Sequence, residues 1–129
     1  MRALLDTHAL LWWWEDSPRL SARIRQELES SGNDIFVSPV SLWEIATKVG
    51  IGKLHPRIPV ADMASSVTAE AFIPLPLDLA HGVRAGSYDA TLHRDPFDRM
   101  LAAQAELEGL TLLTCDKAFR DFPCATLWD

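Results

Sequence analysis

The chain has 129 residues, 48% hydrophobic and 23% charged, enough for one α/β-sized domain over residues 1–129 with a real apolar core. Its two cysteines, Cys115 and Cys124, form no C-x-x-C and no paired His/Cys spacing, which excludes a disulfide framework or zinc knuckle and suggests buried thiols in a cytoplasmic protein. The net charge of −6 disfavours nucleic-acid binding through a broadly basic surface. The apolar start is broken at Asp6 and His8, too early to span a bilayer or serve for export.

The run "RALL" at 2–5 stops abruptly at Asp6 and reads as a buried strand. "HALLWWWED" reads as a helix ending near Ser17-Pro18, and "SARIRQELESS" as a second helix opened around Ser21 and closed by Gly32. "DIFVS" is the next strand. Ser38 as cap and Pro39 as first residue open the helix "PVSLWEIATKVG", which ends at Gly50 and Gly52 before the loop "LHPRIP". Residues 60–71 read as a helix, "FIPL" as a short apolar piece, "DLAHGVRAG" as one or two helical turns and "SYDATLH" as loop. A helix then runs from the cap Asp95 to about Glu108, with Gly109 just beyond. "LTLLT" is a strand ending at Cys115-Asp116, "KAFRDF" a short helix and "ATLW" a last strand. Strands alternating with helices imply an α/β fold with a parallel sheet covered on both faces.

Ligands of such sheets bind at the carboxyl ends of the strands. Asp6 and Asp116 each follow an apolar strand there, and Glu44 lies one turn into a helix that starts from the same edge. Asp98 opens a helix that no clear strand precedes. Four carboxylates brought together repel one another unless a cation sits between them, and an all-oxygen donor set suits Mg²⁺ or Mn²⁺ rather than zinc. Such a centre hydrolyses phosphodiesters. Removing the four acids from the −6 leaves only −2 for the rest of the surface. Each acid also has a local alternative: Asp6, Asp95, Asp98 and Asp116 as helix caps, Glu44 as partner of Lys48 one turn on.

The segments "LLDTHALLWW", "VSPVSLWEIATKVGIGKL", "DPFDRMLAAQA" and "LLTCDKAF" resemble, in order, the motifs of the PIN-domain ribonucleases, and among them the VapC-like toxins of bacterial toxin-antitoxin pairs. The resemblance implies a three-layer α/β/α sandwich around a short parallel sheet, and an Mg²⁺- or Mn²⁺-dependent endoribonuclease that inhibits translation. It also implies an RNA substrate, a cognate antitoxin and a homodimer. Carried over by position, Asp6 and Asp98 are direct metal ligands, and Glu44 and Asp116 ligate directly or through water. Thr7 and Thr114 are supporting hydroxyls, Asp95 caps the helix that presents Asp98, and Arg99 meets phosphate or Asp95. "DTH" and "DPFDR" fit one branch of the family, so substrate preference is not carried over.

Lys48, Lys53, Arg57, Arg84, Arg94 and Arg99 are the available phosphate contacts, or simply solvated surface. Trp12, Trp13 and Trp14 cannot all face one core, so at least one is expected to be exposed or covered by a protein partner. A receiver domain lacks support because Asp6 is followed by Thr7 and His8 rather than a second acid, and a haloacid-dehalogenase-like phosphatase would want D-x-D. A PIN-like domain that only binds or regulates is the remaining alternative; retention of all four acids argues against it.

Overall fold

The computed structural model describes residues 1–129. Five short parallel strands, β1 (Arg2–Leu5), β2 (Asp34–Val37), β3 (Ile73–Pro74), β4 (Thr111–Leu113) and β5 (Thr126–Leu127), lie in the order β3-β2-β1-β4-β5. Six helices cover them: α1 (Thr7–Trp14), α2 (Ala22–Glu29), α3 (Pro39–Gly50), α4 (Met63–Ala69), α5 (Leu79–Ser87) and α6 (Pro96–Glu108). Because successive strand residues point to opposite faces, the sheet feeds two cores. Ala3, Leu5, Ile35, Val37 and Leu113 enter one with residues of α1 to α4. Leu4 and Leu112 enter the other with Leu101, Ala102 and Ala105 of α6, Ala85 of α5 and Phe119. The result is the α/β/α sandwich expected from the resemblance.

Caps set most helix starts. Asp6, Ser21, Ser38, Asp78 and Asp95 each accept a main-chain N–H in the first turn of the helix they open, as short polar side chains do there. Pro39 and Pro96 occupy positions where no N–H is needed. Gly109 ends α6 at φ 65°, a left-handed conformation that glycine adopts without a Cβ clash.

Several boundaries differ from the sequence expectation. The first helix stops at Trp14, since the chain turns at Asp16 with φ 50°. The second stops at Glu29, ahead of Gly32. The helix expected over 60–71 is a 3-10 turn, Val60–Asp62, followed by α4. Part of "FIPL" is strand β3, in which Pro74 is tolerated because the strand is at the sheet edge. "KAFRDF" forms a 3-10 helix, Lys117–Asp121. The thiols are not both buried: Cys115 is exposed at a strand end and Cys124 is half-buried.

None of the three consecutive tryptophans is fully exposed. Each is half-buried against the first core; Trp12 packs edge-on to Trp128 and Trp13 tilts onto Phe72. Trp13 also donates from Nε1 to Glu70 at 3.2 Å. The exposed tryptophan is Trp43, 61% accessible, in edge contact with Phe97 at 4.7 Å between centroids. No helix is long and apolar enough to cross a membrane.

Candidate metal centre

After β1 the chain moves outward through β2 to β3, then returns to the other side of β1 as β4. A crevice opens at the carboxyl ends of adjacent strands where the order reverses. Leu5 pairs with Leu113 in register, so Asp6 and Thr114 emerge side by side, and the Asp6 N–H donates to Leu113 O at 3.2 Å. Two residues on, Asp116 stands at the same edge, its N–H donating to Thr114 Oγ1 at 3.0 Å and its carboxylate accepting from Ala118 N at 2.9 Å.

Asp6 is buried, 4% exposed, and accepts from Ala9 N at 2.8 Å as the cap of α1. Burial pushes its pKa up, and the charge of Asp116 adds to the rise; the Thr114 hydroxyl, the Ala9 N–H and His8 oppose it. Thr7 is buried beside it and donates to Ser41 Oγ of α3 at 3.1 Å, joining the two helices that carry Asp6 and Glu44. Glu44 is 3% exposed. One of its oxygens pairs with Lys48, and the other, Oε1, is buried with no hydrogen-bond partner. An orphaned buried carboxylate oxygen is costly unless a cation or bound water meets it.

Asp98 reaches the group from α6. Asp95 Oδ1 caps the helix by accepting from Asp98 N at 3.1 Å, while Asp98 Oδ2 lies 2.6 Å from His93 Nε2. Burial pushes the Asp98 pKa up to about 6; the His93 contact lowers it, and the charges of Asp95 and Glu44 raise it. A carboxylate oxygen of Asp98, one of Asp116 and a ring nitrogen of His93 all lie within 4.8 Å of one another. Lys48 is held above its ordinary value by its hydrogen bond to Glu44, with the charges of Asp95 and Asp98 adding to this. The one ammonium at the site is therefore already committed to the acids. The donor set and the orphaned oxygen fit a divalent cation.

The structure thus gathers Asp6, Glu44, Asp98 and Asp116, with Thr7 and Thr114 beside them, at one sheet edge. Arg99 is different. Its guanidinium does not reach Asp95 but donates to the carbonyls of His93, Ala85, Tyr88 and Asp89, because the preceding loop wraps over it. Arg84 is also engaged, bidentate to Glu106 at 2.7 and 3.1 Å, and Lys48 pairs with Glu44. Lys53, Arg57 and Arg94 are exposed and make no ion pair. His93 was missed by sequence reasoning, which took "SYDATLH" as a loop without role; its place two residues before the cap Asp95 was the available signal.

Residues 3–123 match the PIN domain family, and the chain belongs to it. Ribonuclease VapC22 of Mycobacterium tuberculosis is 27% identical over 117 residues, 91% of this chain and 88% of that relative. Among solved structures, VapBC2 of Rickettsia felis, bound to a DNA fragment from its promoter, superposes over 100% of both chains with a TM-score of 0.73 at 17% identity. DNA-bound VapBC of Salmonella typhimurium superposes over 98% of this chain and 97% of that one, with a TM-score of 0.69 at 22% identity.

Proposed function

We propose that this chain is a divalent-metal-dependent endoribonuclease and the toxin component of a cytoplasmic toxin-antitoxin pair. The observation that carries the reading is the convergence of four carboxylates at the β1–β4 crevice, one of them holding a buried oxygen without a partner. Membership of the PIN domain family and the likeness to Ribonuclease VapC22 support the nuclease, and the VapBC structures support a cognate antitoxin.

Asp6 and Asp98 would hold the ion directly, with Glu44 and Asp116 ligating directly or through water. When bound, Mg²⁺ or Mn²⁺ lowers the pKa of an attacking water and neutralises the scissile phosphate. The chain's own part is positioning. Asp6 is fixed by the first turn of α1 and Asp98 by that of α6, while Lys48 orients Glu44 from one turn further along α3. Lys53, Arg57 and Arg94, exposed and without an ion pair, are among the basic side chains free to meet the RNA backbone. Leu79 and Val83, 90% and 71% exposed and one turn apart on α5, suit a homodimer contact, which light scattering would detect.

Purified protein is to be incubated with total tRNA and a structured RNA in Mg²⁺, in Mn²⁺ and in chelator. Cleavage is expected only with metal, and Asp6→Asn and Asp98→Asn should each lose at least about hundredfold of it, several kcal/mol of transition-state stabilisation being at stake. If folded wild type cuts nothing with either metal, the reading fails and a PIN-like domain that only binds takes its place.

A further inference from the structure

The loop from Tyr88 to Asp95 is pinned from below by one side chain. Arg99 Nε donates to His93 O at 2.9 Å, Nη1 to Ala85 O and Tyr88 O at 3.2 Å each, and Nη2 to Asp89 O at 2.6 Å. Asp89 tightens the same loop by accepting from Thr91 N and Oγ1, both at 2.8 Å. Such a clamp fixes the main chain of His93 while leaving its ring free to be aimed. That ring points into the acid cluster, with Nε2 2.6 Å from Asp98 Oδ2 and only 30% of the side chain exposed.

Two ligands on opposite sides of an ion at about 2.1 Å each stand about 4.2 Å apart. The mutual spacing of His93, Asp98 and Asp116 donor atoms, within 4.8 Å, is therefore close to that of ligands sharing one ion. Independently, Glu44, 3% exposed and near enough for its charge to raise the Asp98 pKa, holds a buried Oε1 without a partner, which calls for a cation on that side of Asp98. His81, a histidine among acids elsewhere in the fold, offers no such opening. Its Nδ1 accepts from Asp78 N at 3.1 Å and its Nε2 meets Glu108 at 2.9 Å, so both nitrogens are spent tying α5 to α6.

We infer that His93 is a nitrogen ligand of the metal centre, making it a mixed imidazole and carboxylate site that prefers Mn²⁺ to Mg²⁺. The inference rests on the metal-dependent reading above. Ligation uses the tautomer with hydrogen on Nδ1, so that the Nε2 lone pair faces the ion in place of the contact to Asp98. Mn²⁺ stands lowest in the transition-metal affinity series, yet as a member of it accepts an imidazole nitrogen more readily than Mg²⁺, which takes oxygen. Arg99 acts through His93, as a positioning residue that delivers the loop.

The test is pulsed EPR of the metal-stripped full chain reloaded with Mn²⁺ alone, without RNA, prepared with natural-abundance and with ¹⁵N-labelled histidine. A directly bonded nitrogen coupling is expected that changes with the label, persists in His8→Gln and is absent in His93→Ala. By calorimetry, His93→Ala should weaken Mn²⁺ binding about tenfold and Mg²⁺ binding by less than about twofold. If Mn²⁺ binds the wild type, is lost in Asp98→Asn and shows no histidine nitrogen, the inference is overturned while the acid centre stands. If the wild type binds neither ion, the metal-dependent reading falls with it. A labelled wild-type spectrum without that coupling overturns the inference by itself, so misfolding of His93→Ala leaves it falsifiable.

Discussion

Asp95 and Asp98 sit three residues apart and do different work. Asp95 spends its carboxylate on the Asp98 N–H, whereas Asp98 turns its own toward His93 and the other acids. Asp95→Ser should keep the cap and leave RNA cleavage near wild type, and Asp95→Ala should cost about 1 kcal/mol of stability, read by urea denaturation. Loss of cleavage in a stable Asp95→Ser protein would assign Asp95 to the chemistry instead. The acids also fix a pH dependence. Asp6 and Asp98 both have folded-state pKa values above the ordinary 3.8, Asp98 at about 6, so the folded chain binds their protons more tightly than the unfolded one. The contribution of Asp98 is complete below 3.8 and is lost as pH rises from there through about 6, and that of Asp6 changes in the same direction. In chelator, the melting temperature should therefore fall from this source between about pH 4 and 6, and saturating Mg²⁺ or Mn²⁺ should remove the fall. A metal-free melting temperature that rises steadily over that interval would contradict the crowding of these two groups.

The helices α5 and α6 are joined by polar contacts as well as by apolar ones. Glu106 receives Arg84 and the Tyr88 hydroxyl, the latter at 2.8 Å, and Arg84 lies 4.7 Å from the centre of the Tyr88 ring. Tyr88→Phe keeps the ring against Phe122 and removes one hydrogen bond, so it should cost about 1 kcal/mol, measured as a shift in denaturation midpoint. Much of this level was readable in advance. Ser38-Pro39 and Asp95-Pro96 announce helix starts because capping and proline chemistry are local, and "RALL" followed by Asp6 announces a strand with a polar residue at its end. Strand β3 was not readable, since two residues including a proline become strand only through pairing with Phe36 and Val37. The partners of Arg99 were equally hidden. Four carbonyls supplied by Ala85, Tyr88, Asp89 and His93 converge only when the loop folds back on α6, and no spacing rule encodes that. Cys115 looked apolar because it follows "LTLLT", yet it lies past the end of β4, at the rim, and burial followed by the charge of Asp6 raises its pKa.

For the molecule as a whole, the sheet order decides where the acids meet. Asp6 and Asp116 come together because β1 and β4 are neighbours at the point of reversal, which the alternation of strands and helices suggested without giving the strand order. A cation that binds only this assembled arrangement stabilises the fold by mass action, by about 2.7 kcal/mol at a hundred times its dissociation constant. Addition of Mg²⁺ or Mn²⁺ should accordingly raise the melting temperature of wild type and leave Asp98→Asn unmoved; equal shifts in both would place the ion elsewhere. The pairing of residue 5 with residue 113 has a consequence in time as well as in space. During synthesis Asp6 is made well before the strand beside which it comes to stand. A nascent or prematurely released chain that stops short of β4 cannot close the crevice, so an unfinished copy should lack whatever activity the four acids support together.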